Sequence, residues 1–151
     1  MEIKLYGKVP YVVTANDGDY KITAELRVVD GVDTVHLTFD SSAEVKPPVI
    51  EMNWEIPSVD IQGTWYPTGN IDRTIPNVWA GWRDSSASYS SPLYCLYSNG
   101  HKNRMTYACS DGMNKVHYRF VLREEDSMWL CSTKVFDDVI APLSHYECDF
   151  R

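Results

Sequence analysis

The chain lacks an apolar run long enough for a membrane-spanning helix, and its first ten residues, MEIKLYGKVP, lack the apolar core of an export signal. It also lacks a basic surplus, because 14 Lys and Arg stand against 21 Asp and Glu, for a net charge of −7 over 151 residues. Nucleic-acid binding requires clustered Lys and Arg that contact phosphates. We therefore expect neither a nucleic-acid nor a membrane partner, and we expect a cytoplasmic protein.

Paired cysteines of the kind that bind zinc are also missing. The four cysteines are separated by 14, 22 and 17 residues, without a CxxC pair or a Cys/His pair at zinc-like spacing. Three of them lie in strand-like runs, where a buried free thiol is the common arrangement. We predict free thiols in the core, no metal and no other cofactor, with one disulfide pair as the remaining alternative. The cysteines are Cys95, Cys109, Cys131 and Cys148.

No segment has a helical period, and apolar residues alternate with polar residues at period two instead. The alternation is clearest in 21–28, 34–39 and 116–123, and such runs form strands that bury one face against a core. Asp-Gly at 30–31 and Asn-Gly at 99–100 are strong hairpin signals. The hydrophobic content of 44% suffices for a core in a chain of this length. The sequence predicts a single all-β domain over 1–151, an antiparallel β-sandwich.

The sequence contains few residue patterns that indicate a catalytic site. No serine lies in a GxSxG motif, and no glycine-rich loop suited to phosphate is present. Most aspartates lie in predicted turns, where a carboxylate is usually solvated. Asp60 and Asp72 are the acids near tryptophans, and contact with a sugar hydroxyl suits them better than catalysis. We therefore expect the chain alone to be inactive. The turn aspartates are Asp17, Asp19, Asp30, Asp33, Asp126, Asp137 and Asp138.

The segment 54–92 holds four of the five tryptophans among Gly, Pro and Ser, which predicts a long irregular loop. Its flat rings lie near Asp and Arg, and this mixture suits carbohydrate, whose C–H face packs on indole while charged groups bind hydroxyls. In the alternative interpretation the tryptophans pack the loop onto the sandwich or form an interface, and Trp54 best fits a core position. The candidate substrate contacts are Trp65, Asp60, Arg73, Trp82 and Tyr66.

Four stretches carry a resemblance to a known family. They are W-x-I-P at 54–57, VDIQGTWYP at 59–67, the serine-rich SSASYSSP at 85–92 and NRMTYACSD at 103–111. In order and spacing they resemble the N-terminal domain of the α-galactosidases of glycoside hydrolase family 36. The resemblance extends roughly over 50–135.

This resemblance implies a β-supersandwich of the galactose-mutarotase type. In family members a (β/α)8 barrel with two catalytic aspartates and a C-terminal β-domain follow it. The chain would thus be a non-catalytic first domain, with both catalytic aspartates beyond Arg151. Such a domain packs on the barrel, takes part in homo-oligomer contacts and offers an aromatic residue to the α-galactoside pocket. Trp65 is the first choice for that residue, followed by Asp60 and Arg73 as further contacts. A free-standing carbohydrate-binding module, a small β-enzyme and a purely structural interaction domain are the alternatives.

Overall fold

The computed structural model describes 1–57, 61–65, 73–74, 80–84, 93–98, 103–110, 116–123, 127–137 and 140–151. Side chains are described for 1–57, 95–96, 105–110, 127–128, 130–137 and 140–151. Over these ranges the chain forms strands and no helix, so none of the described residues belongs to a helix that could cross a membrane. The strands are β1 (Glu2–Tyr6), β2 (Pro10–Ala15), β3 (Lys21–Val29), β4 (Val32–Val45), β5 (Ile50–Pro57), β6 (Ile61–Trp65), β7 (Arg73–Thr74), β8 (Ala80–Asp84), β9 (Leu93–Ser98), β10 (Asn103–Ala108), β11 (Val116–Arg123), β12 (Met128–Val135) and β13 (Leu143–Phe150).

These strands form three sheets. The first sheet has six strands in the order β1-β2-β5-β12-β11-β8, the second has the order β13-β4-β3, and the third has the order β10-β9-β6-β7. Every strand pairing in them is antiparallel. The predicted all-β antiparallel architecture is therefore confirmed.

The second and third sheets meet at the ends of β13 and β10. Ala108 and Arg151 exchange two backbone hydrogen bonds of 2.8 Å, and Cys109 forms a bridge with Phe150. The end of β13 thus lies between β4 and β10. The two smaller sheets together make one layer, which packs on the six-stranded sheet as a β-sandwich.

The core lies between these two layers and follows from the alternation within each strand. β5 buries Ile50, Met52 and Trp54, whereas the residues between them are partly exposed. From the opposite layer, the ring of Phe39 in β4 meets that of Phe136 edge to face, with centroids 5.9 Å apart. Because side chains in a strand point to alternate faces, every second residue of these strands contributes to the core.

Several local predictions can be compared with the structure. Asp30 and Gly31 have φ of 51° and 76°, which are the left-handed values of a type I′ turn, so the predicted hairpin is confirmed. Asn-Gly at 99–100 lies outside the described residues. The four cysteines are free, and Cys131 and Cys148 are buried, as predicted for core thiols; Cys95 and Cys109 are only partly buried.

The segment 54–92 is not one long irregular loop. It contains β6, β7 and β8, of which β6 pairs with β9 and β8 pairs with β11. The prediction of a continuous loop is wrong for these three strands. They are at most five residues long, which is too short for a period of two to stand out between Gly, Pro and Ser.

Candidate functional site

Three of the five sequence-predicted sugar contacts lie in described strands, and these strands belong to both layers. Trp65 is the last residue of β6 and Arg73 is the first of β7, so their backbones lie in neighbouring strands of the third sheet. Trp82 lies in β8, the edge strand of the six-stranded sheet. The side chains of these three residues, and all of Asp60 and Tyr66, lie outside what is described. A site formed by these five residues therefore stays a prediction.

A crevice of about 460 Å³ opens between the layers, among residues whose side chains are described. β4 lines it on one side and β10 on the other, and β2 and β5 of the six-stranded sheet form its floor. Most of its lining is apolar, with Tyr11, Trp54 and Tyr107 as its aromatic residues. Its volume falls in the range of small-ligand pockets, which is roughly 300–1,000 Å³. This crevice is the candidate functional site of the described residues.

Three aromatic rings lie against one another in the crevice, two from its floor and one from β10. Trp54 is stacked on Tyr107, with centroids 5.7 Å apart and planes at 13°, and Tyr11 approaches Trp54 to 6.3 Å. The indole Nε1 of Trp54 donates a hydrogen bond to Sδ of Met105 at 3.4 Å, and the hydroxyls of Tyr107 and Thr133 are 2.7 Å apart. Trp54 is 6% exposed, as expected for the predicted core position. Its ring is used in packing and offers little free face to a ligand.

A carboxylate, Asp33, lies at one end of the crevice and joins the two layers. Its Oδ2 accepts hydrogen bonds from the backbone amide of Lys8 at 2.6 Å and from the hydroxyl of Tyr11 at 3.1 Å. The ammonium of Lys8 also donates to the carbonyl of Gly31 at 2.6 Å. Gly7 leaves the space for this arrangement, because a Cβ there would overlap the carboxylate. The β1–β2 turn is thereby tied to the β3–β4 hairpin in the opposite layer.

The hydroxyl of Tyr11 keeps its proton well into the alkaline range. Burial of the ring, and then the charge and hydrogen bond of Asp33, raise the pKa of Tyr11 above its ordinary value of 10.0. The hydroxyl is therefore the donor in this pair and the carboxylate is the acceptor.

The prediction that Asp33 is a solvated turn residue is wrong. It lies in β4 opposite Val28, on the same face of the strand as the buried Val35 and Leu37. The inward position of Asp33 could be predicted from the sequence. The two-residue turn ends at Gly31, so Asp33 belongs to the strand that follows it. Counting back by twos from Leu37 then places Asp33 on the inward face.

The described lining of the crevice contains few ionisable side chains. Asp33 is the one carboxylate among its described lining residues, which include no His and no Cys. Hydrolysis of a glycoside requires two carboxyl groups across a cleft. Among the described side chains, no group of three or more His, Cys, Asp or Glu could hold a metal ion.

A second polar cluster lies on β4 and β13, around a partly buried histidine. Nδ1 of His36 is 2.8 Å from Oδ1 of Asp149, and its Nε2 is 3.9 Å from Oε2 of Glu147. Both ring nitrogens thus face carboxylates, and the cluster serves to join neighbouring strands. At the other end of the same strand pair, Nδ1 of His145 is 2.7 Å from Oδ1 of Asp40.

No family model matches the chain, and neither does any curated protein or solved structure.

Proposed function

We propose that the chain is the non-catalytic β-sandwich domain of an α-galactosidase-like retaining glycoside hydrolase. In that role it supports a catalytic (β/α)8 barrel of the same polypeptide, takes part in homo-oligomer contacts and contributes to the rim of the sugar pocket. The antiparallel all-β fold supports the proposal, because it agrees with the architecture that the resemblance implies. The crevice with one described carboxylate also fits, since the catalytic pair is assigned to the barrel.

The observation that carries the proposal is a contact between two of the resembling stretches. Trp54 of the W-x-I-P stretch is stacked on Tyr107 of the NRMTYACSD stretch, and its Nε1 donates to Met105 of that same stretch. These residues are about fifty positions apart in the chain. Parts of one structural unit are expected to pack together, and this contact agrees with that expectation.

A third resembling stretch belongs to the same part of the fold. VDIQGTWYP includes all of β6, which lies in the third sheet with β10 and is separated from it by β9 alone. Trp65 ends β6 and is followed by Tyr66 and Pro67, where the chain leaves the strand. This position at a strand end supports Trp65 as the aromatic residue offered to the pocket. Asp60 directly precedes the first residue of β6 in the sequence and stays a predicted contact.

Reading the source gene past the codon for Arg151 tests the domain assignment. The proposal expects an open frame that encodes a barrel with aspartates at the ends of its strands. A stop codon directly after Arg151 would overturn the assignment, whatever the isolated chain binds.

The role of Trp65 is tested in the full-length enzyme. Trp65→Ala is expected to lower kcat/KM on an α-galactoside about 2- to 12-fold, because an aromatic contact contributes about 0.5–1.5 kcal/mol. Trp65→Tyr is the matched control, since it keeps a flat ring and should retain most of the activity. Unchanged kcat/KM in Trp65→Ala, with a lowered melting temperature, would show that Trp65 is structural.

The second candidate function is a free-standing carbohydrate-binding module. The aromatic crevice beside Asp33 favours it, but the packing of Trp54 on Tyr107 leaves little ring face for a sugar. Titration of the isolated chain with galactose separates the two candidates. The domain proposal expects unchanged tryptophan fluorescence, whereas a saturable change would favour the binding module.

A further inference from the structure

The strand β3 forms an open edge of the second sheet. It is nine residues long and pairs with β4 on one side, and within the described part of the chain no strand pairs with its other side. Its inward side chains include the buried Ile22, but Val28, which also faces inward, is 67% exposed at the end of the edge. A long edge strand with an uncovered apolar side chain is a place where a further strand can pair.

The backbone groups of every second residue of β3 point to this open edge. The two-residue turn of the hairpin is closed by the pair Val29 and Val32, whose N–H and C=O groups face each other. Successive residues of an antiparallel strand direct these groups to opposite edges, so those of Val28 point away from β4. The ladder is regular, and the same orientation therefore holds for Ala24 and Leu26. Among the described residues, these open-edge groups have no backbone partner.

The outward face of this edge carries two opposite charges. Glu25 and Arg27 are both exposed, and their side chains form an ion pair of 2.9 Å along the strand. Opposite charges two positions apart become self-complementary when a strand pairs antiparallel with a copy of itself, because a twofold axis places each charge opposite the other.

A twofold axis at Leu26 matches both the backbone groups and the charges. Residues with open-edge groups must pair with each other, and this axis pairs Leu26 with itself and Ala24 with Val28 of the second copy. Glu25 of each copy then lies opposite Arg27 of the other. This is a pair without backbone hydrogen bonds, in which the two side chains are closest.

Other positions of the axis fit less well. An axis at Glu25 or at Arg27 puts that residue opposite its own like charge, and an axis at Ala24 puts Arg27 opposite Lys21 of the second copy. Axes nearer either end of β3 pair a shorter part of the strand. The charges of β3 therefore favour the axis at Leu26.

The edge strand β1 of the opposite layer is a weaker candidate. Both the N–H and C=O of Met1 bond to Ala15, so the backbone groups of Lys4, three positions later, point to the open edge. A pairing of the whole strand with its copy would be centred on Lys4 and would put two ammonium groups opposite each other. Among the described side chains, β3 is thus the better edge for self-association.

We propose that β3 is a homodimer interface, at which it pairs antiparallel with β3 of a second copy of this chain about a twofold axis at Leu26. The pairing joins the second sheets of two copies, covers the exposed Val28 and forms two cross-strand ion pairs. The inference goes beyond the proposed function, because β3 alone carries it and the glycosidase assignment is not needed. It gives the homo-oligomer contacts a place and a register.

Sedimentation velocity of the 151-residue chain between about 1 and 100 µM tests the pairing, and the wild type is expected to form a dimer in this range. Glu25→Arg and Arg27→Glu each put like charges opposite each other on both sides of the axis. Each should weaken dimerisation at least about tenfold. Lys21→Glu is the matched control, because it makes the same charge change as Arg27→Glu at a position that falls opposite Gly31, beyond the paired part of the strand.

An equimolar mixture of the Glu25→Arg and Arg27→Glu chains tests the register directly. In a heterodimer the two positive residues of one chain lie opposite the two negative residues of the other, so the mixture should dimerise about as strongly as the wild type. Hydrogen exchange gives a local measurement. The amide of Leu26 should exchange more slowly as the wild-type concentration rises, whereas the amide of Arg27, which is bonded within the hairpin, should not respond.

A wild-type chain that stays monomeric would overturn the proposal, and so would a mixture no more dimeric than the single variants. A dimer that withstands both charge reversals as well as it withstands Lys21→Glu would place the contact on another surface and would also overturn it. These results leave the proposed function intact. A stop codon after Arg151 would instead remove the proposed function and leave the pairing of β3 standing.

Discussion

Replacing Asp33 by Ala is expected to loosen the connection between the two layers at the end of the crevice. The change removes the acceptor for the Lys8 amide at 2.6 Å and for the Tyr11 hydroxyl at 3.1 Å. A hydrogen bond to a charged group contributes about 1.5–3 kcal/mol, but water can replace the acceptor of the exposed Lys8 amide. We expect the free energy of unfolding to fall by about 2–3 kcal/mol, with the partly buried Tyr11 hydroxyl responsible for most of it.

Urea denaturation of four proteins isolates the contact between Asp33 and Tyr11. They are the wild type, Asp33→Ala, Tyr11→Phe and the double variant, and their free energies of unfolding form a double-mutant cycle. The expected coupling is about 1.5 kcal/mol. Asp19→Ala is the matched control, because Asp19 is an exposed turn acid whose carboxylate makes no described contact, and it should change stability by less than about 0.5 kcal/mol. A coupling no larger than the effect of the control would refute the reasoning.

Three further predictions concern pH and the aromatic floor. The raised pKa of Tyr11 contributes stability that is fully present below pH 10.0 and is lost as the pH rises toward the folded-state pKa, so alkaline unfolding should be shallower in Tyr11→Phe. A hydrogen bond to Asp40 raises the pKa of His145 above 6.5, and an NMR titration should show that Asp40→Asn lowers it again. The contribution of this pair is present below pH 6.5 and is lost as the pH rises through the raised pKa. Trp54→Ala should lower the free energy of unfolding by about 3–5 kcal/mol in urea, and a loss under about 1 kcal/mol would contradict a packed floor.

The strands could be predicted from the sequence where one face is buried and the other is exposed to solvent. The runs at 21–28 and 116–123 alternate cleanly, and the structure has β3 and β11 there. Asp-Gly at 30–31 predicted its hairpin because both residues tolerate left-handed φ. These signals are local, and local geometry is what a sequence pattern reports most directly.

The sheet order and the crevice could not be predicted in the same way. β5 pairs with β2 on one side and with β12 on the other, and no pattern within β5 distinguishes these partners. The crevice is lined by residues of β4 and β10, which are far apart in the chain. Tyr11 and Tyr107 both line the crevice because strands that are distant in the sequence are neighbours in the fold. Neither residue carries a sequence signal for that position. The position of Asp33 could be predicted, because an even number of positions separates it from the inward residues of β4.

The strand order of the six-stranded sheet also governs how the chain can fold. Its central pair joins β5 to β12, and Oγ of Ser132 donates to Oε1 of Glu51 at 3.2 Å across 81 residues. During synthesis β5 can pair with β2 at once, but its other edge waits for β12 until Val135 has left the ribosome, and the second edge of β4 waits for β13 even longer. Folding dominated by such distant pairings is slow, of the order of milliseconds to seconds. Through that interval the N-terminal strands carry apolar faces and open edges, which are the features that favour aggregation before the sheets are complete.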